Sequence, residues 1–263
     1  MRIIAIANQK GGVGKTTTSI NLGAGLARMG YKVLLIDLDP QGNTTVGLGV
    51  DSQEQERTAC EVLLGECRLA EAIVPVTEKY LSLVPSNIDL TAADVHLMQR
   101  IGREGILRQA LQEINSDYEF VLIDCPPSLN LLTVNALTAA NGVLIPIQCE
   151  YFALEGLTAL LDTVEQIRST VNPKLEVEGL IRTMFDIRNN LSTEVSRQLI
   201  EHFGDKVYRT VVPRNVRVAE APSHGQSVID YDPESRGAIA YLGLAGEFMR
   251  RHDQQQRGVH GNA

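Results

Sequence analysis

The 263-residue sequence predicts an α/β fold: a mostly parallel twisted sheet with helices on both faces. Apolar runs of strand length alternate with longer stretches of helical periodicity, as in chains built from βαβ units. The runs VLLID and VLID are almost continuously apolar, which is typical of strands buried on both faces. A glycine-rich segment also separates the first apolar run from the first helical stretch, so strand and helix are joined there by a turn.

The strands predicted from these runs are short and rich in Val and Ile, two residues that favour strands. They are Ile3–Ala7, Val33–Ile36, Leu81–Val84, Phe120–Ile123, Val143–Ile147, Val177–Arg182 and Val207–Val212. The predicted helices are Thr16–Met29, Ala92–Ile114, Leu154–Thr170, Leu191–Phe203 and about Pro233–Arg251. Residues 1–252 are expected to form a single domain. The polar segment 253–263 has no apolar periodicity and is expected to be a disordered tail.

Composition limits the classes of protein to which the chain can belong. Hydrophobic residues make up 44% and charged residues 21%, as in a folded globular protein, which excludes a largely disordered chain. No apolar run approaches the roughly 18 residues of a membrane-spanning helix, and the N-terminus lacks the apolar core of a signal peptide. The four cysteines have no CxxC spacing, so reduced thiols and a cytoplasmic location are expected.

Charge is distributed unevenly along the chain. The net charge is −8, which argues against a protein whose whole surface coats nucleic acid. Residues 182–217 differ, because they contain seven basic and four acidic residues and carry a net charge of +3. An anionic partner, if there is one, is expected to bind this basic stretch.

The segment after the first strand has the pattern of a phosphate-binding loop. Its sequence is Lys10-Gly11-Gly12-Val13-Gly14-Lys15-Thr16-Thr17, and it lies between a strand and a helix as such a loop requires. Glycines let successive N–H groups turn inward, and a helix N-terminus adds partial positive charge. Lys15 is expected to reach the β and γ phosphates, and the Thr16 hydroxyl to bind Mg²⁺. The alternative is a glycine turn without a ligand, since Gln9 replaces the first glycine of the general pattern.

Carboxylates at the ends of two other apolar strands complete the predicted site. Asp124 follows Phe-Val-Leu-Ile and is expected to hold Mg²⁺ through a water molecule, although it could simply cap the turn before Pro126. Asp37 and Asp39 are two residues apart, so an extended chain places both on one side. We expect Asp39 to position the attacking water, and Asp37 to support Mg²⁺ or the loop lysine.

Lys10 is the unusual residue of the loop. Most lysines in loops are solvated, and that is the alternative for Lys10. Sites of phosphoryl transfer commonly add a second cation near the transferred phosphate. A lysine at the start of the loop has no obvious role in its own subunit, so we expect it to point away and serve a facing subunit.

Several segments together resemble the ParA/MinD class of P-loop ATPases. The segment from Lys10 to Thr17 resembles the deviant Walker A motif of that class. Asp37-Leu-Asp39-Pro-Gln-Gly-Asn43 resembles its switch I, and Ile123-Asp124-Cys-Pro-Pro-Ser128 its Walker B motif and switch II. The resemblance continues through residues 149–156, 212–225 and 231–237, and it is most specific to chromosomal ParA proteins of the Soj type. It therefore spans nearly the whole chain.

This resemblance implies a P-loop NTPase fold and a function. Such proteins are ATP-dependent sandwich dimers that bind double-stranded DNA nonspecifically and segregate chromosomes or plasmids with a ParB-type partner. The resemblance implies ATP and Mg²⁺ as cofactors, hydrolysis that is weak alone and stimulated by the partner, and association with the nucleoid. An N-terminal helix-turn-helix region, found in larger plasmid relatives, is not expected here.

The resemblance also implies roles for individual residues. Lys10 would cross the dimer interface to the partner's nucleotide, and would act in catalysis with Lys15 and Asp39. Further residues would contact two ligands: Pro213 and Asn215 would lie against the adenine, and Arg188 and Arg217 would contact DNA phosphates.

Three other functions share the phosphate loop. A MinD-like membrane ATPase would need a C-terminal amphipathic helix, but Val259 is the only large apolar residue after Arg251, so no membrane partner is expected. An iron–sulfur relative would use Cys125 and Cys149, which more commonly are small buried residues. A metabolic ATP-dependent ligase would act on a small acid and would not bind DNA.

Overall fold

The structure, a computed structural model, describes residues 1–77, 79–114 and 117–260. In these residues eight strands form one sheet in the order β3-β4-β2-β5-β1-β6-β7-β8. The β3–β4 pair is antiparallel and the other neighbouring pairs are parallel, which confirms the predicted fold class. The strands are β1 (Arg2–Ile6), β2 (Val33–Asp37), β3 (Val74–Pro75), β4 (Leu81–Val84), β5 (Phe120–Asp124), β6 (Gly142–Gln148), β7 (Glu176–Phe185) and β8 (Val207–Pro213).

Helices connect these strands and cover both faces of the sheet. They are α1 (Lys15–Arg28), α2 (Asn43–Gly47), α3 (Ala59–Leu64), α4 (Leu90–Leu97), α5 (Ile106–Gln112), α6 (Leu131–Ala139), α7 (Ala153–Thr170), α8 (Asn190–Phe203), α9 (Val216–Glu220), α10 (Val228–Tyr231) and α11 (Arg236–His260). Short 3₁₀ turns lie at Leu69–Glu71, Arg103–Gly105, Gly204–Lys206 and Ala221–His224.

Apolar side chains pack on both faces of the sheet. Ile4 and Ile6 of β1 belong to the core formed with α1, α10 and α11, in which Phe248 is fully buried. Ala5, between them, points to the opposite core, which α3 to α8 cover. Because each central strand contributes to both cores, its residues are apolar at successive positions rather than at alternate ones.

The helix predicted at Ala92–Ile114 is wrong in its extent. The chain forms α4 and α5 there, and the residues between them include Gly102 with a φ of +71°. That left-handed conformation is open to glycine at little cost and interrupts a right-handed helix. The apolar residues of the two short helices together resembled the periodicity of one long helix.

Helix α6 was not predicted from the sequence. Most of its residues are buried, including the polar residues Thr133, Asn135 and Thr138. A helix buried nearly all round has no polar face, so its sequence lacks the 3.6-residue alternation that marks a surface helix.

Helix α11 begins at Arg236 and extends to His260, which is longer than predicted. It includes residues 253–260 of the segment expected to be a disordered tail, and residues 261–263 lie outside the described part of the chain. The three glutamines and one arginine of this segment favour helix and let a packed helix continue into solvent. The single-domain boundary after residue 252 stays a prediction. Within the described residues, none of the helices combines the length and apolar character needed to cross a membrane.

Candidate functional site

The loop between β1 and α1 has the backbone of a phosphate-binding turn. Gly12 and Gly14 have φ values of +72° and +88°, in the left-handed region that side chains disfavour. Gly14 precedes the first turn of α1, and among the described residues no side chain caps that helix end. The unpaired N–H groups at the start of α1 can therefore bind an anion, as the sequence predicts.

Hydrogen bonds with residues of β6 and β7 support this loop. The Asn8 amide donates a hydrogen bond to the Pro146 carbonyl (2.8 Å), and its Oδ1 accepts one from the Lys10 N–H (3.0 Å). The Thr183 hydroxyl at the end of β7 donates to the Val13 carbonyl over 2.7 Å. Asn8 and Thr183 were not predicted as supports of the loop, because a single sequence does not show that β6 and β7 lie beside it.

Asp124 lies beside Thr16, as the sequence predicts. The Thr16 hydroxyl donates to Asp124 Oδ2 over 2.8 Å, and the Thr44 hydroxyl donates to the same oxygen over 2.7 Å. The Ser19 hydroxyl donates to Asp124 Oδ1 over 3.1 Å. Thr44 and Ser19 were not predicted, although Thr44 directly follows the predicted switch I segment. Three hydroxyl groups therefore orient a carboxylate that is 1% exposed.

Asp37 is a fully buried neighbour of Asp124 across the β2–β5 pair. Its Oδ2 accepts hydrogen bonds from the N–H and hydroxyl of Thr45, at 2.9 and 2.8 Å, and its Oδ1 accepts one from the Asp39 N–H at 3.1 Å. Burial, and then the adjacent Asp124 charge, raise the pKa of Asp37 well above the usual range of a carboxyl group. Burial also raises the pKa of Asp124, which its three hydroxyl donors partly offset.

Lys15 and Asp39 complete the charged part of the site. Lys15 is 7% exposed, and its ammonium donates to the Lys10 carbonyl over 3.3 Å. Burial lowers the pKa of Lys15, and the charges of Asp124 and Asp39 act in the opposite direction. Asp39 is 8% exposed, and its Oδ1 accepts a hydrogen bond from the Gln41 N–H over 3.0 Å. The buried ammonium and the N-terminus of α1 both carry positive charge, which the phosphates of a nucleotide would neutralise.

The oxygen atoms near Thr16 fit a magnesium ion that is bound chiefly by phosphates. In the part of the chain that the structure describes, no three His, Cys, Asp or Glu side chains form a metal-binding group. Mg²⁺ at nucleotide sites does not require one, because it keeps several waters and takes one or two protein oxygens besides the phosphates. The Thr16 hydroxyl and the Asp124 carboxylate, 2.8 Å apart, are oxygen ligands of this kind.

The two cysteines of the iron–sulfur alternative are structural. Cys125 and Cys149 are 1% and 2% exposed. Burial is the largest cause that raises the pKa of each thiol, that of Cys149 to about 11. Cluster ligation requires thiolates, so this environment does not favour it.

Lys10 has a partner in its own subunit that the sequence did not indicate. Its ammonium lies 2.6 Å from Glu150 Oε2, and the two side chains are 38% and 45% exposed. Exposed ion pairs of this kind contribute about 0–1 kcal/mol, so another anion can displace Glu150. The next residues, Tyr151 and Phe152, are 74% and 64% exposed, so they do not pack in the core of their own subunit.

The two arginines predicted to contact DNA lie in segments that follow adjacent strands. Arg188 follows β7, and its guanidinium donates to Asp186 Oδ1 and Oδ2 over 2.9 and 2.7 Å. Arg217, in α9 after β8, contacts Glu220 at 2.8 Å and Asp232 at 3.2 Å. Both arginines are exposed, and both are ion-paired with carboxylates of their own subunit.

Pro213 and Asn215, which were predicted to lie against the adenine, come from the same sheet edge. Pro213 ends β8, and Asn215 Oδ1 accepts a hydrogen bond from the Val218 N–H over 3.2 Å as the N-cap of α9. Their predicted contact with the adenine stays a prediction.

Comparison with known proteins identifies the family. A family model described as an AAA domain matches residues 1–177. The chain is 52% identical to the chromosome partitioning protein ParA of Caulobacter vibrioides over 258 residues, or 97% of each chain. It is 51% identical over 246 residues to the sporulation initiation inhibitor protein Soj of Bacillus subtilis, covering 94% of this chain and 97% of that protein. A crystal structure of cobyrinic acid a,c-diamide synthase from Mycobacterium smegmatis with bound ADP and magnesium superposes with a TM-score of 0.84 at 39% identity, covering 96% of each chain. Since two named partitioning proteins match almost end to end and the fold carries the phosphate loop, the chain belongs to the ParA/Soj family of P-loop ATPases.

Proposed function

We propose that this protein is an ATPase that dimerises when it binds ATP, binds DNA nonspecifically and drives the segregation of chromosomes or plasmids with a ParB-type partner. The observation that carries the proposal is the convergence of the free N-terminus of α1, buried Lys15 and the Thr16–Asp124 pair at one point. Asp39 lies next to this point and is available to act on water. We place this activity in the cytoplasm, at the nucleoid.

The residues of the site divide the work of phosphoryl transfer. The N–H groups of the loop and the Lys15 ammonium would bind the β and γ phosphates. Thr16 and Asp124 would hold Mg²⁺, Asp124 through a water, and the ion would neutralise charge on the phosphate oxygens when bound. Asp39 would accept a hydrogen bond from the attacking water and orient it towards the γ phosphate. Pro213 and Asn215 would lie against the adenine.

Dimerisation would bring Lys10 to the nucleotide of the other subunit. The γ phosphate carries more negative charge than Glu150, so it can displace Glu150 from the exposed ion pair with Lys10. Large apolar side chains are exposed after four of the strands, at the loop edge of the sheet. They are Leu129 after β5, Tyr151 after β6, Ile187 after β7 and Val216 after β8. Exposed apolar groups around one site are typical of a surface that another protein covers.

DNA binding would use the basic stretch at residues 182–217, which has a net charge of +3 in a chain of net charge −8. Dimerisation doubles the number of phosphate contacts without adding an element that reads bases, so binding should depend on ATP and not on sequence. The ion pairs of Arg188 and Arg217 are exposed, and breaking each costs about 0–1 kcal/mol. A DNA phosphate can therefore replace the carboxylates of Asp186 and Glu220.

A second candidate is an ATP-dependent ligase that acts on a small acid. The high similarity to the Mycobacterium smegmatis structure favours it, because that protein is named as an amide-forming synthase. The two candidates differ in a property that is simple to measure, since a ligase has no reason to bind DNA.

We would measure DNA binding by mobility shift on several unrelated duplexes, with and without MgATP and at several salt concentrations. Arg188→Glu and Arg217→Glu are expected to lose DNA binding while keeping ATP binding and dimerisation. Each lost phosphate contact should make the fall of log K with log salt less steep by about 0.9, hence by about 1.8 for the two copies in a dimer. Arg168→Glu makes the same charge change at an exposed, ion-paired arginine of α7 outside the basic stretch, and should bind DNA normally.

Unchanged binding in both reversals would place the DNA surface elsewhere on the protein. A strong preference for one duplex would contradict nonspecific binding. If the parent protein binds no duplex with or without ATP, the partitioning function is wrong and the ligase is favoured.

A further inference from the structure

The end of β7 departs from a regular ladder beside the phosphate loop. Arg182 pairs with Val211 and Phe185 with Pro213, so β7 advances three residues while β8 advances two. The extra residue makes a β-bulge, a feature often found beside functional sites. Within the bulge, Met184 has a φ of +47° and is the one described non-glycine residue with a positive φ. The left-handed region is unfavourable for a residue with a side chain, so the neighbours of Met184 must hold it there.

On one side of Met184, Thr183 is fixed to the phosphate loop. Its hydroxyl donates to the Val13 carbonyl over 2.7 Å, and its side chain is buried. Its methyl carbon lies 3.7 Å from the position that a Cβ on Gly14 would occupy. Thr183 therefore contacts the peptide that turns the loop into α1.

On the other side of Met184, hydrogen bonds fix the segment of residues 185–189, which contains Arg188. The Phe185 carbonyl accepts a hydrogen bond from the Arg214 N–H over 3.4 Å. The Asp186 carboxylate binds the backbone N–H of Arg188 at 3.0 Å as well as its guanidinium. Asn189 Oδ1 accepts from the N–H of Leu191 at 3.0 Å and caps α8. Four residues thus separate Thr183, which contacts the phosphate loop, from Arg188, and the strained Met184 is one of them.

We propose that Thr183 and Met184 couple occupancy of the phosphate loop to the position of the 185–189 segment within a single subunit. Thr183 acts as a positioning residue: when a phosphate draws in the N–H groups of the loop, the Val13 carbonyl moves and Thr183 moves with it. The bulge at Met184 transmits that shift, because a strained residue can relax when one of its supports moves. The coupling rests on the proposed nucleotide binding but is separate from dimerisation.

ADP allows the coupling to be tested without a dimer, because it fills the loop but lacks the γ phosphate that Lys10 would contact across the interface. We would measure amide hydrogen exchange at residues 185–189 in the full-length protein, with and without MgADP, and ADP binding by calorimetry. In the parent protein ADP should change the exchange rates by about fivefold or more, the lower end of ordinary coupling between two sites. Thr183→Val keeps the shape of the side chain and removes the hydroxyl, and should reduce the change to less than about twofold.

Two further variants make the result specific. Thr163→Val removes an exposed hydroxyl of α7 that bonds to the Ala159 carbonyl, and should behave like the parent. Met184→Gly adopts the same φ without strain and should bind ADP with reduced coupling, even if Thr183→Val fails to fold.

Each outcome decides between the two proposals. ADP binding without a change at residues 185–189 would overturn the coupling alone, as would the full change in both Thr183→Val and Met184→Gly. If the parent protein binds neither ADP nor ATP, the proposed nucleotide function fails, and the coupling fails with it.

Discussion

Asp37 and Asp124 are neighbouring carboxylates that are closed to solvent. Burial raises the pKa of both groups, and the charge of Asp124 raises that of Asp37 further. Two adjacent buried carboxylates disfavour double ionisation, so a proton is retained in the folded protein at a pH where the unfolded chain has released it. The bound cation that Asp124 is proposed to hold would favour the ionised form.

Stability of the nucleotide-free protein should therefore depend on pH through Asp37. Because the pKa of Asp37 is higher in the folded protein than in the unfolded chain, Asp37 contributes fully to stability below its unfolded pKa of about 3.9. This contribution is lost as the pH rises towards the folded pKa. The slope for one proton is at most about 1.4 kcal/mol per pH unit. Asp37→Asn should flatten the fall in the free energy of unfolding between about pH 5.5 and about pH 7.5, measured by urea unfolding. Asp162→Asn, on the exposed side of α7, should keep the parent's slope, and the same slope in Asp37→Asn would contradict the assignment.

The β7–β8 pair is the element that brings the phosphate loop, the predicted adenine contacts and the basic stretch together. It is also closely packed where the two strands begin. A Cβ at Gly179 would lie 2.6 Å from the Lys206 carbonyl oxygen and 2.6 Å from Cε2 of Tyr208. A backbone oxygen and a fully buried ring have little freedom to move, so this approach of the strands requires glycine.

Gly179→Ala should destabilise the protein by about 1–3 kcal/mol, the usual cost of overpacking. Gly156→Ala is the matched control, because Gly156 lies in α7 and has no atom within 4 Å of an added Cβ. It should leave stability unchanged or raise it by up to about 1 kcal/mol, since alanine favours a helix. Urea unfolding of the two variants measures both changes in the free energy of unfolding. Equal changes in the two variants would show that β7 and β8 separate readily.

At the scale of the whole molecule, the proposed dimer would differ from the single subunit in the position of Lys10. In the subunit it is paired with Glu150 at a partly exposed site, close to the exposed pair Tyr151 and Phe152, whose rings are 5.0 Å apart. A lysine with so weak a restraint can turn to a facing nucleotide when two subunits meet through their loop edges.

ATP should therefore drive dimerisation, and Lys10 should be required for it. With MgATP, Asp39→Ala should remain a dimer in gel filtration because it binds ATP without hydrolysing it, whereas Lys10→Ala should remain a monomer. Lys174→Ala removes an exposed lysine elsewhere and should dimerise like the parent. If Lys10→Ala dimerises as well as the parent protein, its action across the interface is wrong.

Turnover by the isolated protein should be slow. Added cationic fingers contribute about 10³–10⁵ in rate to related reactions, and here the candidate cation is paired with Glu150 until a dimer forms. Phosphate release should be well below the roughly 10 s⁻¹ of an ordinary enzyme, and should rise on addition of DNA and a ParB-type partner. A rate near 10 s⁻¹ for the protein alone would favour the ligase.

Local sequence was sufficient for the fold class and for the centre of the site. The continuous apolar runs specified a buried parallel sheet, and the strand–loop–helix context located Lys15 and Thr16, because these features depend on neighbouring residues in the chain. Asp124 could be paired with them since parallel strands end at one edge. The break at Gly102 was not predicted, because the apolar residues on its two sides together fit the periodicity of one long helix. The buried helix α6 was not predicted, because its residues show no helical alternation of apolar and polar positions.

Contacts between residues that are distant in sequence follow from the way the strands and helices pack. The pairing of Lys10 with Glu150, the hydroxyl groups of Thr44 and Ser19 around Asp124, and the contact of Thr183 with Val13 join residues far apart in sequence. Strand order sets these contacts: β1 lies between β5 and β6, so the phosphate loop meets residues from both. The order of residues along the chain is enough to tell which chemical groups lie at the strand ends. Packing determined which of them are buried, paired or left free, because burial and hydrogen bonding depend on the three-dimensional neighbours of each group.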